Sequence, residues 1–156
     1  MKITISTKID DDVLKTYKIF NTGERQFELD ILIYLNSPDG WSQYGYYFEA
    51  TQKDPQVLIR LSSSSTIKTD CGLPSNLSCA VLGGSKIWLN SNRWFHGSSK
   101  SKLSLEDYRQ YMVSHEMGHI LGYEHEECKG KGHKAPVMMQ QTLGIKKCIP
   151  NINVKE

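Results

Sequence analysis

The chain has 156 residues, 38% hydrophobic and 23% charged, with a formal net charge of +2 and a pI near 8.3. This composition suits one globular domain, residues 1–156, able to bury roughly 70% of its unfolded surface, and excludes an intrinsically disordered chain. The charge is too mild to point to nucleic acid, and no apolar run approaches the roughly 20 residues of a membrane span.

In chain order, residues 1–8 alternate Ile3 and Ile5 with polar neighbours and read as an edge strand. They lack the apolar core of roughly 7–15 residues that a signal peptide needs. Either the protein stays inside the cell, or a leader lies outside this sequence. Residues 17–20 read as a short strand, and Gly23 breaks the pattern. Over residues 24–36, Phe27, Ile31 and Tyr34/Leu35 recur at helical spacing. Leu29 and Ile33 leave a strand open, with helix preferred. A turn follows at residues 36–40, Asn-Ser-Pro-Asp-Gly.

Residues 44–50 and 56–61 read as strands. Ser62 then starts a polar loop through Cys71 and Pro74 to Cys79, which includes a formal glycosylation sequon at Asn76. Lys86, Ile87, Trp88, Leu89 and Asn90 form another predicted strand, and residues 92–102 a loop rich in Ser and Gly. Ser104 begins the clearest helix, with Ser104 and Asp107 spaced as a capping box. Leu105, Tyr108, Met112, His115 and His119 fall near one stripe of it, and Gly122 is the expected terminator. A Gly/Lys-rich loop, the run Ala135-Pro136-Val137-Met138-Met139 and a short tail complete the chain. Strands alternating with two helices predict a mixed α+β domain.

Cys71, Cys79, Cys128 and Cys148 include no CxxC pair, which argues against a thiolate zinc knuckle. Two disulfides or four buried thiols both remain open; short-loop closure favours Cys71–Cys79 and Cys128–Cys148. Disulfides would place the protein in an oxidising, secreted or extracellular setting, while free thiols would suit the cytoplasm.

Residues 115–125 read His-Glu-Met-Gly-His-Ile-Leu-Gly-Tyr-Glu-His, the pattern HExxHxxGxxH. At i and i+4, His115 and His119 share a helix face and can offer both imidazoles to one ion. Glu116 is turned away by about 100° and can reach water beside the ion without ligating it. Gly122 lets the chain turn back so that His125 supplies a third imidazole. Three neutral imidazoles suit tetrahedral Zn2+ with a fourth position open to water. Five fixed positions should arise by chance in roughly 10⁻⁵ of chains this long. The chemistry implied is amide hydrolysis, with Glu116 as general base towards the attacking water.

This pattern resembles the signature of metzincin metallopeptidases, the clan of astacins, serralysins, adamalysins and matrix metalloproteinases. The resemblance implies a twisted sheet with an N-terminal helix and an active-site helix, a zinc cofactor and a peptide or protein substrate. It also implies a methionine turn beneath the metal, assigned to Met138 with Met139 as alternative. In metzincins an edge strand above the cleft pairs with substrate, and Lys86 to Asn90 matches it by order. Most of the chain is also similar to a family of mainly actinobacterial, often secreted domains. The shared residues are Asn90-Ser91-Asn92-Arg93-Trp94, Tyr108-Arg109, the His115 to His125 block, Cys128, Ala135 to Met138, residues 140–144 (Gln-Gln-Thr-Leu-Gly) and Cys148. This likeness supports helix at residues 24–36 and a Cys128–Cys148 disulfide. Two departures stand out. Gln140, or Gln141 if Met139 is the turn, occupies the place of the tyrosine that astacins and serralysins carry two residues after the turn methionine. The few residues beyond the turn predict a reduced C-terminal subdomain.

The other candidates have plain readings. The acidic run Asp10-Asp11-Asp12 lacks EF-hand spacing and reads as solvated, as does His133 among its lysines; His96 is given no role. The expectation is a monomeric zinc endopeptidase, binding neither nucleic acid nor membrane. A zinc-stabilised binding domain without catalysis and a hydrolase of non-peptide amides are the alternatives.

Overall fold

The computed structural model describes residues 1–72 and 76–155. The chain runs β1 (Lys2–Ile9), α1 (Asp11–Thr16), α2 (Asn21–Leu35), β2 (Tyr47–Ala50), β3 (Val57–Ser62), α3 (Ser64–Cys71), β4 (Cys79–Ala80), β5 (Lys86–Asn90), α4 (Ser91–His96) and α5 (Leu105–Ile120). Short 3-10 turns lie at Trp41–Tyr44, Ser99–Ser101 and Gln141–Leu143.

Period-two alternation builds the sheet. Ile3, Ile5 and Ile9 line one face of β1, as do Val57, Ile59 and Leu61 in β3 and Ile87 and Leu89 in β5. The register sets Ile5 opposite Val57, Ile59 opposite Ile87 and Leu61 opposite Leu89, so the apolar faces coincide. The strand order is β2-β1-β3-β5-β4, parallel except for β4, which pairs antiparallel with β5 at the edge. α2 and α5 cover the apolar face, contributing Phe27, Ile31 and Leu35 from one and Tyr108, Tyr111, Met112, Val113 and Met117 from the other. The fold is therefore mixed α+β, as expected.

α5 is not amphipathic in the ordinary sense: every residue from Gln110 to His119 is buried. Its interior polar groups are answered locally. Gln110 Nε2 donates to the Tyr34 carbonyl at 3.0 Å, and Trp41 Nε1 donates to the Ser114 carbonyl at 2.8 Å. On the other face of the sheet, Arg60 holds the buried Asp10 through two bonds of 3.0 and 2.9 Å. The first acid of the run at 10–12 is thus an ion-pair partner rather than a solvated charge.

Four local expectations are corrected. β1 is interior, because β2 returns to pair along its other side. Residues 17–20 form a turn, with Lys18 left-handed at φ 53°. The serine run opens α3 rather than a loop: Ser63 Oγ accepts from Thr66 N at 3.2 Å as an N-cap. Asn90 does the same for α4, accepting from Arg93 N at 3.2 Å, so the predicted loop at 92–102 begins as helix. Pro74, part of that expected loop, lies outside the described residues.

Both disulfides are present. Cys71–Cys79 joins the end of α3 to β4, and Cys128–Cys148 closes the C-terminal segment over a small cluster of Ala135, Met139 and Ile145. Two disulfides suit an extracellular type of environment. No helix among the described residues is long and apolar enough to cross a membrane.

Candidate metal centre

Ser104 starts α5, its Oγ accepting from Asp107 N at 3.2 Å. About three turns on, the helix presents His115 and, one turn further, His119, both buried. Each ring has its Nδ1 tied to a backbone carbonyl. His115 Nδ1 lies 2.7 Å from the Val137 oxygen, and His119 Nδ1 lies 2.8 Å from the Tyr123 oxygen. A carbonyl can only accept, so each Nδ1 carries the proton and each Nε2 is left with a free lone pair. Such outer bonds are what a metal-ligating histidine needs to hold its ring and tautomer.

The helix exit supplies the rest. Leu121 closes α5, Gly122 takes φ 100°, and Tyr123 N bonds back to the Gly118 carbonyl at 2.9 Å. The turn that ends the helix thereby delivers the Tyr123 oxygen to His119 and swings His125 round. His125 Nε2 comes to 3.1 Å from His119 Nε2. Nitrogens sharing a tetrahedral zinc at about 2.05 Å would stand about 3.3 Å apart. Ligand atoms of His115, His119 and His125 all fall within 4.8 Å of one another. Among the described residues this is the one such group, and its donor set fits a divalent ion with a liking for nitrogen.

Electrostatics agree with neutral ligands. Burial, then the two neighbouring histidines, lowers His115 to about 3 despite its bond to Val137. His125 is also lowered, by desolvation first and His119 second. Glu116 is buried beside them, and burial pushes its carboxyl up to about 8. A bound cation would favour its ionised form.

Met138 packs under the helix at Gly118. A Cβ built on Gly118 would meet the Met138 side chain and lie 2.9 Å from Trp41 Cζ2. Trp41 also stacks on Tyr123, with ring centroids 4.8 Å apart. A helix-interior glycine ordinarily costs about 1 kcal/mol against alanine; here it lets methionine and tryptophan reach the helix backbone. Gly118→Ala is therefore expected to destabilise the protein by about 1–3 kcal/mol rather than stabilise it. Thermal melts should show the midpoint falling by several degrees; an unchanged or higher midpoint would contradict this packing account.

The histidines open onto a cleft of about 610 Å³. Glu116 lies on its wall with Leu77, Ala80, Leu82, Tyr108 and Met112, and Gln140 and Thr142 also border it. The strand Lys86–Asn90 does not border it. β5 is paired on one side with β3 and on the other with β4, whose Cys79 and Ala80 form the cleft rim. Ile87 and Leu89 are core residues, Trp88 Nε1 bonds Asp70 at 3.1 Å, and Asn90 caps α4. The edge expected at Lys86–Asn90 is thus corrected to β4, which at two residues, Cys79 and Ala80, carries too little pattern to be read from sequence. Sequence reasoning also missed Tyr111, one turn before His115, and the anchoring indole of Trp41. The first could have been found from its i, i+4 relation to His115.

An α+β sheet with one buried central helix and three converging imidazoles is the class of protein defined here. The chain belongs to the family described as protein of unknown function (DUF3152), whose model matches residues 8–154. No curated protein matches it. Among solved structures, two of myroilysin are similar. One is 18% identical with a TM-score of 0.46, covering 82% of this chain and 45% of that one. The other is 17% identical with a TM-score of 0.45, covering 85% and 46%. The chain thus spans under half the length of these structures.

Proposed function

We propose that this chain is a zinc-dependent metalloendopeptidase of the metzincin type, a single catalytic domain in which His115, His119 and His125 hold the metal and Glu116 is the general base. The observation that carries this reading is the meeting of three imidazoles at one point beside a buried carboxylate that no hydrogen bond or ion pair ties down among the described residues. A site built only to stabilise the fold has no use for such a carboxylate, since its burial costs free energy and gains nothing.

Zinc held by these three nitrogens would act as a Lewis acid towards a scissile carbonyl and make water a better nucleophile. Glu116 accepts a proton from the attacking water and returns it to the amide nitrogen as the C–N bond breaks. The buried surroundings of Glu116 raise its proton affinity, which suits both halves of that transfer. Met138 serves as the methionine turn, filling the space beneath the helix that Gly118 leaves. The short antiparallel β4, which pairs with no strand but β5 among the described residues, offers its outer edge to an extended peptide, moving the strand-addition role from Lys86–Asn90 to Cys79 and Ala80.

The test is to titrate purified protein with zinc and assay it on a broad peptide library, with and without chelator. About one zinc per chain, with cleavage abolished by chelation and restored by zinc, is the expected result. Zinc uptake with no peptide or protein cut would favour a zinc-stabilised binding domain. Cleavage confined to non-peptide amides would move the substrate class instead.

A further inference from the structure

Of the polar groups around the histidines, one hydroxyl is used more fully than the rest and has no place in the chemistry above. Tyr111 sits on α5 one turn before His115 and is almost wholly buried. Its hydroxyl donates to the Met139 carbonyl at 2.7 Å and accepts from Gln141 N at 2.9 Å. His115 Nδ1 lies 3.4 Å from the same oxygen, a weaker second contact beside its 2.7 Å bond to Val137. One side chain thus grips the backbone on both sides of residue 140 and touches the ring of the first histidine.

The consequence follows from the order of residues on the turn. The Val137 carbonyl orients His115, yet Val137 belongs to a segment that, among the described residues, makes no backbone–backbone bond to α5. Met139 and Gln141 follow it by two and four residues, and Met138, between Val137 and Met139, packs against Gly118. Pinning those residues to the helix fixes where the Val137 oxygen stands relative to His115. We infer that Tyr111 is a positioning residue for the metal centre: its hydroxyl locks the methionine-turn segment to α5 so that Val137 holds His115 with Nε2 facing the metal. This rests on the metal-site reading above but not on what the enzyme cleaves.

Tyr111→Phe removes the hydroxyl and keeps the ring. It leaves the Met139 oxygen and Gln141 N–H without that partner, so some stability will be lost whatever the role of Tyr111. Tyr34→Phe is the control: its hydroxyl bonds Glu106 at 2.7 Å, on the same helix but away from the histidines. Zinc affinity would be measured for the wild type and both variants by competition with a chelating dye, well below each melting midpoint. The expected result is a Kd weakened by roughly 10-fold or more in Tyr111→Phe, the loss typical of an outer partner of a metal ligand, and unchanged within about 2-fold in Tyr34→Phe. Nitrogen-15 spectra of the chelated proteins add a readout without metal, with the His115 Nδ1–H tautomer dominant in wild type and mixed in Tyr111→Phe. Wild-type zinc affinity in Tyr111→Phe, or equal weakening in Tyr34→Phe, would overturn the inference. A wild type that takes up no zinc would overturn the metal-site reading as well, whereas zinc uptake without peptide cleavage would leave the inference standing.

Discussion

Replacing Glu116 with glutamine is expected to lower kcat for peptide hydrolysis by roughly 10²–10⁴-fold, the range for loss of a general base, while zinc uptake is retained. The imidazoles owe nothing to Glu116: the outer bonds of His115 and His119 run to Val137 and Tyr123, and His125 Nε2 faces His119. Retained stoichiometry with lost turnover would therefore separate the base from the ligands. The same variant carries a second, independent signature in chelated protein. Burial raises the Glu116 carboxyl to about 8 from an ordinary 4.5. Between those pH values the folded chain keeps a proton that the unfolded chain has released. Its contribution is thus fully present below about pH 4.5 and is lost as pH rises towards 8. Glutamine does not titrate, so chelated Glu116→Gln should gain on chelated wild type between pH 5 and 8, by on the order of 3 kcal/mol. Denaturant melts at the two pH values read this directly. With zinc bound, the nearby cation favours the carboxylate and the gap should narrow. Undiminished turnover in Glu116→Gln would remove the base from the mechanism; a pH-independent gap would remove the burial argument.

The three-histidine cluster was far more legible in the sequence than the sheet around it, for a physical reason. His115, His119, Gly122 and His125 act through local geometry, helical spacing and a left-handed turn, and eleven consecutive residues carry nearly all of it. The alternation in residues 1–8 and 56–61 revealed strands, observed at Lys2–Ile9 and Val57–Ser62, for the same local cause. What a strand pairs with is not local. Nothing in residues 1–8 says that β2 will return to cover their far side, and a two-residue β4 has too little pattern to announce itself. Ser63 and Asn90 failed in another way. Serine and asparagine favour both loops and helix N-caps, and only the residues they cap decide between the two. Cys128–Cys148 was within reach because resemblance and short-loop closure agreed.

Loss of that disulfide should matter as much to the metal as to the fold. The segment from His125 to Cys148 has no helix beyond the turn at Gln141–Leu143, and its own buried cluster is only Ala135, Met139, Ile145 and Cys148. Closing a loop of this length by a disulfide is worth about 3 kcal/mol in chain entropy. Zinc held as proposed would restrain the same segment through His125, and at 1,000 times its Kd would add about 4 kcal/mol. Each restraint lowers the entropy that the other must overcome, so the two should be coupled rather than additive. Cys128→Ser/Cys148→Ser is accordingly expected to lose about 3 kcal/mol of stability in chelated protein and to bind zinc roughly 10-fold more weakly. Denaturant melts with and without zinc, set against His125→Ala, distinguish the causes. In His125→Ala zinc should add little stability, because the ion no longer bridges α5 to the segment, while the disulfide keeps its full effect. Additive losses across these variants would mean that the helix histidines hold zinc without help from the ordering of the segment. A shortfall from additivity would mean that the disulfide and His125 place one and the same stretch of chain over the metal.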